Sequence, residues 1–233
     1  MKNTLVGIIA AMDEEIEVVF KIMKEKKIKK IYELEFFEGK INQLNCVLVK
    51  CGVGKVNAAR TTQILIDNYK IGCIINIGSA GSINDKLEIG DIVIGEKVIQ
   101  HDFDITAFGH EKGYITDVGK IFKSDIELVN IIENISNKIK EQEGFNIKRG
   151  IIATGDIFCT SIEMKNKIRS KFEADCVEME GGAIAQVCSL DKIPFIIIRA
   201  ISDKPNGKNA QDFNEFLELA TKRYAQIIKN LIL

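Results

Sequence analysis

Proline is nearly absent from this chain, with two among 233 residues, and charge of neither sign is in excess: 32 Lys and Arg stand against 33 Asp and Glu. Without Pro- or Gly-rich tracts, low-complexity segments or an internal period, nothing marks a linker, a repeat array or a second domain, and residues 1–233 read as one domain. A net charge of −1 offers no field to hold a polyanion, which disfavours nucleic acid as a partner. No apolar run reaches membrane-spanning length. Leu5–Met12 stops at Asp13, Glu14 and Glu15, so neither a membrane segment nor an export signal is expected. The six cysteines, Cys46, Cys51, Cys73, Cys159, Cys176 and Cys188, form no C-x-x-C pair, and a chain of this size needs no staples. Reduced, mostly buried thiols in a cytoplasmic protein are expected.

What is present suits a packed core. Hydrophobic residues make up 46% of the chain and charged ones 28%, and a chain of this length buries roughly 70% of its unfolded surface. Apolar runs alternate with helical spacings. Leu5–Ala11 reads as a strand, and Ile16, Val19, Phe20 and Met23 as the face of a helix. Ile31–Phe37 and Cys46–Cys51 are β-rich, and after Gly52-Val53-Gly54 a helix is expected from about Val56 to Tyr69. Further strands are expected at Ile71–Ile77, Ile92–Ile99, Gly150–Ala153 and Pro194–Ile201. Helices are expected at Ile126–Ile139, Ile162–Phe172 and from Phe213 to Leu231. This alternation predicts an α/β sandwich around a parallel or mixed sheet.

In such folds ligands bind beyond the carboxyl ends of the strands. Four such ends carry polar clusters: Asp13-Glu14-Glu15, Gly78-Ser79-Ala80-Gly81, Glu178-Met179-Glu180-Gly181-Gly182 and Ser202-Asp203. Each has a plainer reading. Asp13–Glu15 suit a helix N-terminus through the macrodipole, and Gly78–Gly81 a tight turn. Glu178 and Glu180 suit a capping pair before a glycine turn. Asp203 suits an N-cap, with Arg199 as its ion-pair partner. Recurrence at successive strand ends favours a site, since glycines admit a ligand to the backbone and carboxylates serve as acceptors or as acid and base. Gly52-Val53-Gly54-Lys55 lacks the spacing and the Ser or Thr of a phosphate loop and reads as a strand-to-helix turn near the pocket. His101, Asp102, Asp104 and His110 lack zinc-site spacing and read as a surface or interface loop.

Taken together, Ala11-Met12-Asp13-Glu14-Glu15, Gly54-Lys55-Val56-Asn57-Ala58-Ala59, Asn76-Ile77-Gly78-Ser79-Ala80-Gly81, Thr106-Ala107-Phe108-Gly109, Gly155-Asp156, Val177-Glu178-Met179-Glu180 and Arg199-Ala200-Ile201-Ser202-Asp203 resemble the 5′-methylthioadenosine/S-adenosylhomocysteine nucleosidase family. The matches run in family order along essentially the whole chain. The resemblance implies a nucleoside phosphorylase-like, three-layer α/β/α sandwich around a central mixed sheet. It also implies a homodimer and cofactor-free, metal-free hydrolysis of the N-glycosidic bond of adenine thionucleosides.

By the same resemblance Glu15 is the base that activates water, Asp203 the acid that protonates adenine N7, and Glu180 the acceptor for ribose hydroxyls. Ser79, Arg199 and Ser202 support the catalytic groups and the sugar. Phe158 stacks on adenine, and the Cys159 backbone reads the base edge. Met179, Val53 and Phe213 form apolar walls, with Ile105 and Phe108 coming from the partner subunit. The residue types suit the chemistry. An oxocarbenium-like transition state needs a neutralised leaving group and a deprotonated water, as in inverting glycosidases. A purine nucleoside phosphorylase and an aminofutalosine-type nucleosidase remain as alternatives, the phosphorylase disfavoured because Asp13, Glu14 and Glu15 repel phosphate. A silent adenosine sensor has no need of both Glu15 and Asp203, and a Rossmann oxidoreductase lacks its G-x-G-x-x-G.

Overall fold

The computed structural model describes residues 4–204 and 209–231, the side chains of 209–215 excepted. Among the described residues ten strands form one mixed sheet. β1 (Leu5–Ala10) lies parallel to β4 (Leu44–Lys50) on one side and to β5 (Ile71–Ser82) on the other. Beyond β4 the antiparallel β3 (Leu34–Ile41) and β2 (Lys24–Ile31) form the edge. On the other side β5 pairs with β10 (Phe195–Asp203) in parallel and with β9 (Cys176–Glu178) antiparallel. β6 (Ile92–Gln100) and β8 (Ile147–Thr154) connect β10 back to β9, so this half of the sheet closes on itself, and β7 (Phe122–Lys123) adds to β6.

Alternation along the strands sends side chains to opposite faces. Val6 and Ile8 join a core with Val19 of α1 (Asp13–Ile22), Ile132 of α3 (Ile126–Glu143) and Tyr224 of α6 (Asn209–Lys229). Ile9, Val47 and Val49 face the other way, onto Leu65 of α2 (Lys55–Asn68) and Ile184 of α5 (Gly181–Leu190). A third cluster packs Ile168 and Phe172 of α4 (Ile162–Phe172) against Ile99 and Ala153. The result is the expected three-layer α/β/α arrangement. Among the described residues no helix is long and apolar enough to cross a membrane.

Three local readings need correction. The stretch Ile31–Phe37 is a hairpin and not one strand: the chain turns at Tyr32, whose φ is 52°. β2, with the sequence KEKKIKKI, is exposed almost throughout, and such lysine-rich edges block further strand pairing. Gly78–Gly81 lie inside β5 instead of forming a turn after it, because β10 pairs with β5 as far as Asp203 and Gly81. Gly181 and Gly182 likewise open α5 instead of making a turn. A Cβ on Gly182 would stand 2.8 Å from Thr154, so close contact between helix and sheet fixes glycine there.

Candidate active site

Three strand ends and one helix start converge on a cavity of about 270 Å³, lined among others by Glu15, Ser79, Phe158, Glu180, Arg199 and Asp203. Val53, Met179 and Ser202 line it too. Four separated sequence clusters thus meet because β1, β5, β9 and β10 are neighbours in the sheet with their ends on one rim.

Glu15 sits at the third position of α1 and is buried. Its Oε2 accepts from the backbone N–H of Ala11 at 3.0 Å and of Met12 at 3.2 Å, capping the helix. Its Oε1 accepts from the Ser79 N–H at 3.0 Å and Oγ at 3.2 Å. One carboxylate oxygen thus caps the helix, and the other ties the helix start to β5 at the cavity. Burial raises the Glu15 pKa above the usual carboxylate value, opposed by the Ser79 N–H, the Arg199 charge and the two cap N–H groups.

Glu180 stands just before α5 and accepts from the Gly54 N–H at 2.8 Å. Gly54 has a φ of 97°, a conformation glycine adopts at least cost, so the glycine turn read from the sequence delivers a donor to the cavity. Burial, and then the neighbouring Glu178 charge, push Glu180 up to about 7. Arg199 does not pair with Asp203. Its Nη2 donates to Glu178 Oε2 and to Asn76 Oδ1, both at 2.5 Å, and its Nη1 donates to the Ile198 carbonyl. Burial disfavours the Arg199 charge, but Glu178, Glu180 and Glu15 outweigh it and raise its pKa.

Asp203 ends β10 and is not an N-cap. It is 2% exposed, accepts from Ser202 Oγ at 3.1 Å, and faces Lys165 Nζ at 3.1 Å.

The family-model comparison matches the phosphorylase superfamily over residues 5–233. A 5′-methylthioadenosine/S-adenosylhomocysteine nucleosidase of Staphylococcus haemolyticus is 40% identical over 229 residues, 98% of this chain and 99% of its own length. The chain belongs to this nucleosidase family. Among solved structures, the Neisseria meningitidis nucleosidase in complex with methylthio-immucillin-A superposes with a TM-score of 0.92 at 38% identity, covering 98% of this chain and 100% of that one. The Colwellia psychrerythraea nucleosidase in complex with adenine gives 0.93 at 35% identity, covering 97% and 93%.

Not every residue that the nucleosidase resemblance singled out lines this cavity. Cys159 is buried beside it, its thiol turned to Met164 Sδ at 3.4 Å and the Ile157 carbonyl. Ile105 and Phe108 lie on the segment after β6, outside the cavity, with Phe108 81% exposed. The side chain of Phe213 lies outside the described residues. His101 is buried, unlike the surface position its loop suggested, and lines a separate cavity of about 550 Å³ with Asp102 and Lys112. Among the described residues no group of three or more His, Cys, Asp or Glu side chains is set to hold a metal.

Sequence reasoning missed the supporting network. Glu178 accepts from Arg199, from the Glu180 and Gly181 N–H groups at 3.0 and 2.6 Å, and from Thr154 Oγ1. The signal for it was available, since an arginine within an apolar strand requires a buried carboxylate.

Proposed function

We propose that the protein hydrolyses the N-glycosidic bond of 5′-methylthioadenosine and S-adenosylhomocysteine, and of 5′-deoxyadenosine, releasing adenine and the ribose or thioribose product. The carrying observation is one cavity holding two buried carboxylates from different elements, Glu15 and Asp203, with a third, Glu180, beside a half-exposed aromatic ring, Phe158. That set supplies a base for water, an acid for the purine, an acceptor for vicinal hydroxyls and a face for the base. Glu15 is the base and is held by four donors, while Asp203 protonates N7. Glu180 accepts from the ribose hydroxyls and places negative charge near the oxocarbenium-like sugar. The named activities of the similar nucleosidases support the same chemistry.

Phosphate as nucleophile would need a cationic cradle. Arg199 is the cation among the described lining residues, and Glu178 and Asn76 already take its Nη2. Of the three acids in the first turn of α1, Glu15 lines the cavity, whereas Asp13 is exposed and pairs with Lys50. Water is therefore the favoured nucleophile.

The active form in this reading is a homodimer. Val53 and Phe158 leave apolar surface exposed at the cavity, Phe108 is exposed elsewhere on the chain, and such apolar surface suits a second copy. Ile105 and Phe108 of that copy close the 5′-thioalkyl end. The enzyme works in the cytoplasm without metal or cofactor, in methionine salvage; six buried free thiols suit a reducing compartment.

Asp203→Asn keeps the shape of the acid but holds no carboxyl proton to give. Its expected outcome is a loss of adenine release by roughly 10²- to 10⁴-fold with retained binding of an adenine nucleoside, read by calorimetry and an adenine assay. Glu15→Gln is expected to fail to a similar extent. Wild-type rates in either variant would remove that residue from its role.

A further inference from the structure

Lys165 belongs to no motif read from the sequence, yet it touches the proposed acid. It lies on the buried face of α4 with Ile168 and Phe172. Its side chain is 1% exposed against 2% for that of Asp203. Nζ stands 3.1 Å from Asp203 Oδ2 and 3.5 Å from the Lys204 carbonyl oxygen. The other carboxylate oxygen, Oδ1, accepts from Ser202 Oγ. On a further side Gly81 leaves no room, since a Cβ there would stand 2.9 Å from Oδ2. The carboxylate is thus oriented from α4, from its own strand and from β5.

Burying an unpaired ammonium is costly, and a purely structural counter-ion for Asp203 would account for the pair. The cavity gives it more to do, because the carboxyl group it faces is the one that, when protonated, is placed to give its proton to the leaving base. We propose that Lys165 is a positioning residue for leaving-group protonation, holding the Asp203 carboxyl in one orientation and meeting the charge that proton donation leaves on it. This rests on the hydrolytic reading above.

As the C1′–N9 bond breaks, its electron pair passes into the purine and the Asp203 proton goes to N7, so the base departs neutral. Asp203 is then a carboxylate beside an ammonium, at a depth where their attraction exceeds its value in bulk water. The water oxygen bonds to C1′ and its proton passes to Glu15. Exchange with solvent after product release returns a proton to Asp203 and removes one from Glu15.

The test compares Lys165→Met, which keeps length without charge, with Lys165→Arg, which keeps charge. Two substrates are used: 5′-methylthioadenosine, and a 4-nitrophenyl 5-methylthioriboside whose phenolate departs without a proton. The expected result for Lys165→Met is a fall in kcat on the nucleoside of roughly 10²-fold, the lower end for acid–base groups, with KM little changed. Its rate on the nitrophenyl substrate is expected to stay near wild type, and Lys165→Arg to recover most of the lost kcat. An unchanged kcat on the nucleoside, equal losses on both substrates, or no recovery with arginine overturns the proposal. Should circular dichroism show Lys165→Met unfolded, Lys165→Gln is judged by the same criteria. Wild-type protein that releases no adenine overturns the hydrolytic reading and this inference together. Wild-type turnover with an insensitive Lys165 variant overturns this inference alone.

Discussion

Glu180 carries a negative charge at a cost, because it is buried next to Glu178 and its pKa is pushed from 4.5 to about 7. Between those values the unfolded chain has released the proton and the folded one keeps it, so this group erodes stability as pH rises from 4.5 to 7. Glu180→Gln removes that penalty. Its expected outcome is a Tm above wild type at pH 8 by roughly 3–8 °C, with the gap closing toward pH 4.5, measured by calorimetry. The same variant should raise KM for the nucleoside, since the amide is a poorer acceptor for ribose hydroxyls. Glu15 and Glu180 were legible in the sequence because each belongs to an acidic cluster at the end of an apolar run. Lys165 was legible only as a lysine on the 165, 168, 172 stripe of a helix, a pattern that acquires meaning once α4 is seen against the end of β10. The pairing of Arg199 with Glu178 in place of Asp203 depends on which strands adjoin, a fact that lies beyond residue spacing.

The elements that position the site are held by contacts too tight for larger residues. The first turn of α5 carries Gly181 and Gly182 against β8 and β10, with the Gly182 N–H bonded to Thr154 Oγ1 at 2.6 Å. Gly182→Ala is expected to destabilise the fold by roughly 1–3 kcal/mol, as overpacking does, and to raise KM by displacing Glu180; denaturant melts and kinetics read the two effects. Unchanged stability would mean that the helix start yields easily. The buried strands β1, β5 and β10 were readable from their continuous apolar runs. β2 was not, since five of its eight residues are lysine and its strand character comes from pairing with β3. The far end of β5 escaped for a related reason: Gly78–Ser82 has turn-like composition, and the neighbouring β9 and β10 hold it extended.

At the scale of the whole molecule the family and layer order were legible from motifs spread along the chain, whereas the closing of half the sheet through β6, β8 and β9 rests on long-range pairings that no local pattern encodes. The proposed homodimer makes a prediction of its own. Asp203→Asn lacks the proposed acid, and Phe108→Ala lacks the residue proposed to reach the partner's cavity. Mixed dimers of the two carry one cavity with both an intact acid and an intact Phe108, so unfolding and refolding the mixture should restore activity above that of either variant alone. No gain on mixing would place Phe108 outside the partner's site. Incubation with 5′-methylthioadenosine in phosphate-free buffer and then with added phosphate, both products being identified, separates hydrolysis from phosphorolysis. Adenine and free methylthioribose, at a rate unchanged by added phosphate, is the predicted result; a sugar phosphate formed only when phosphate is present would contradict it.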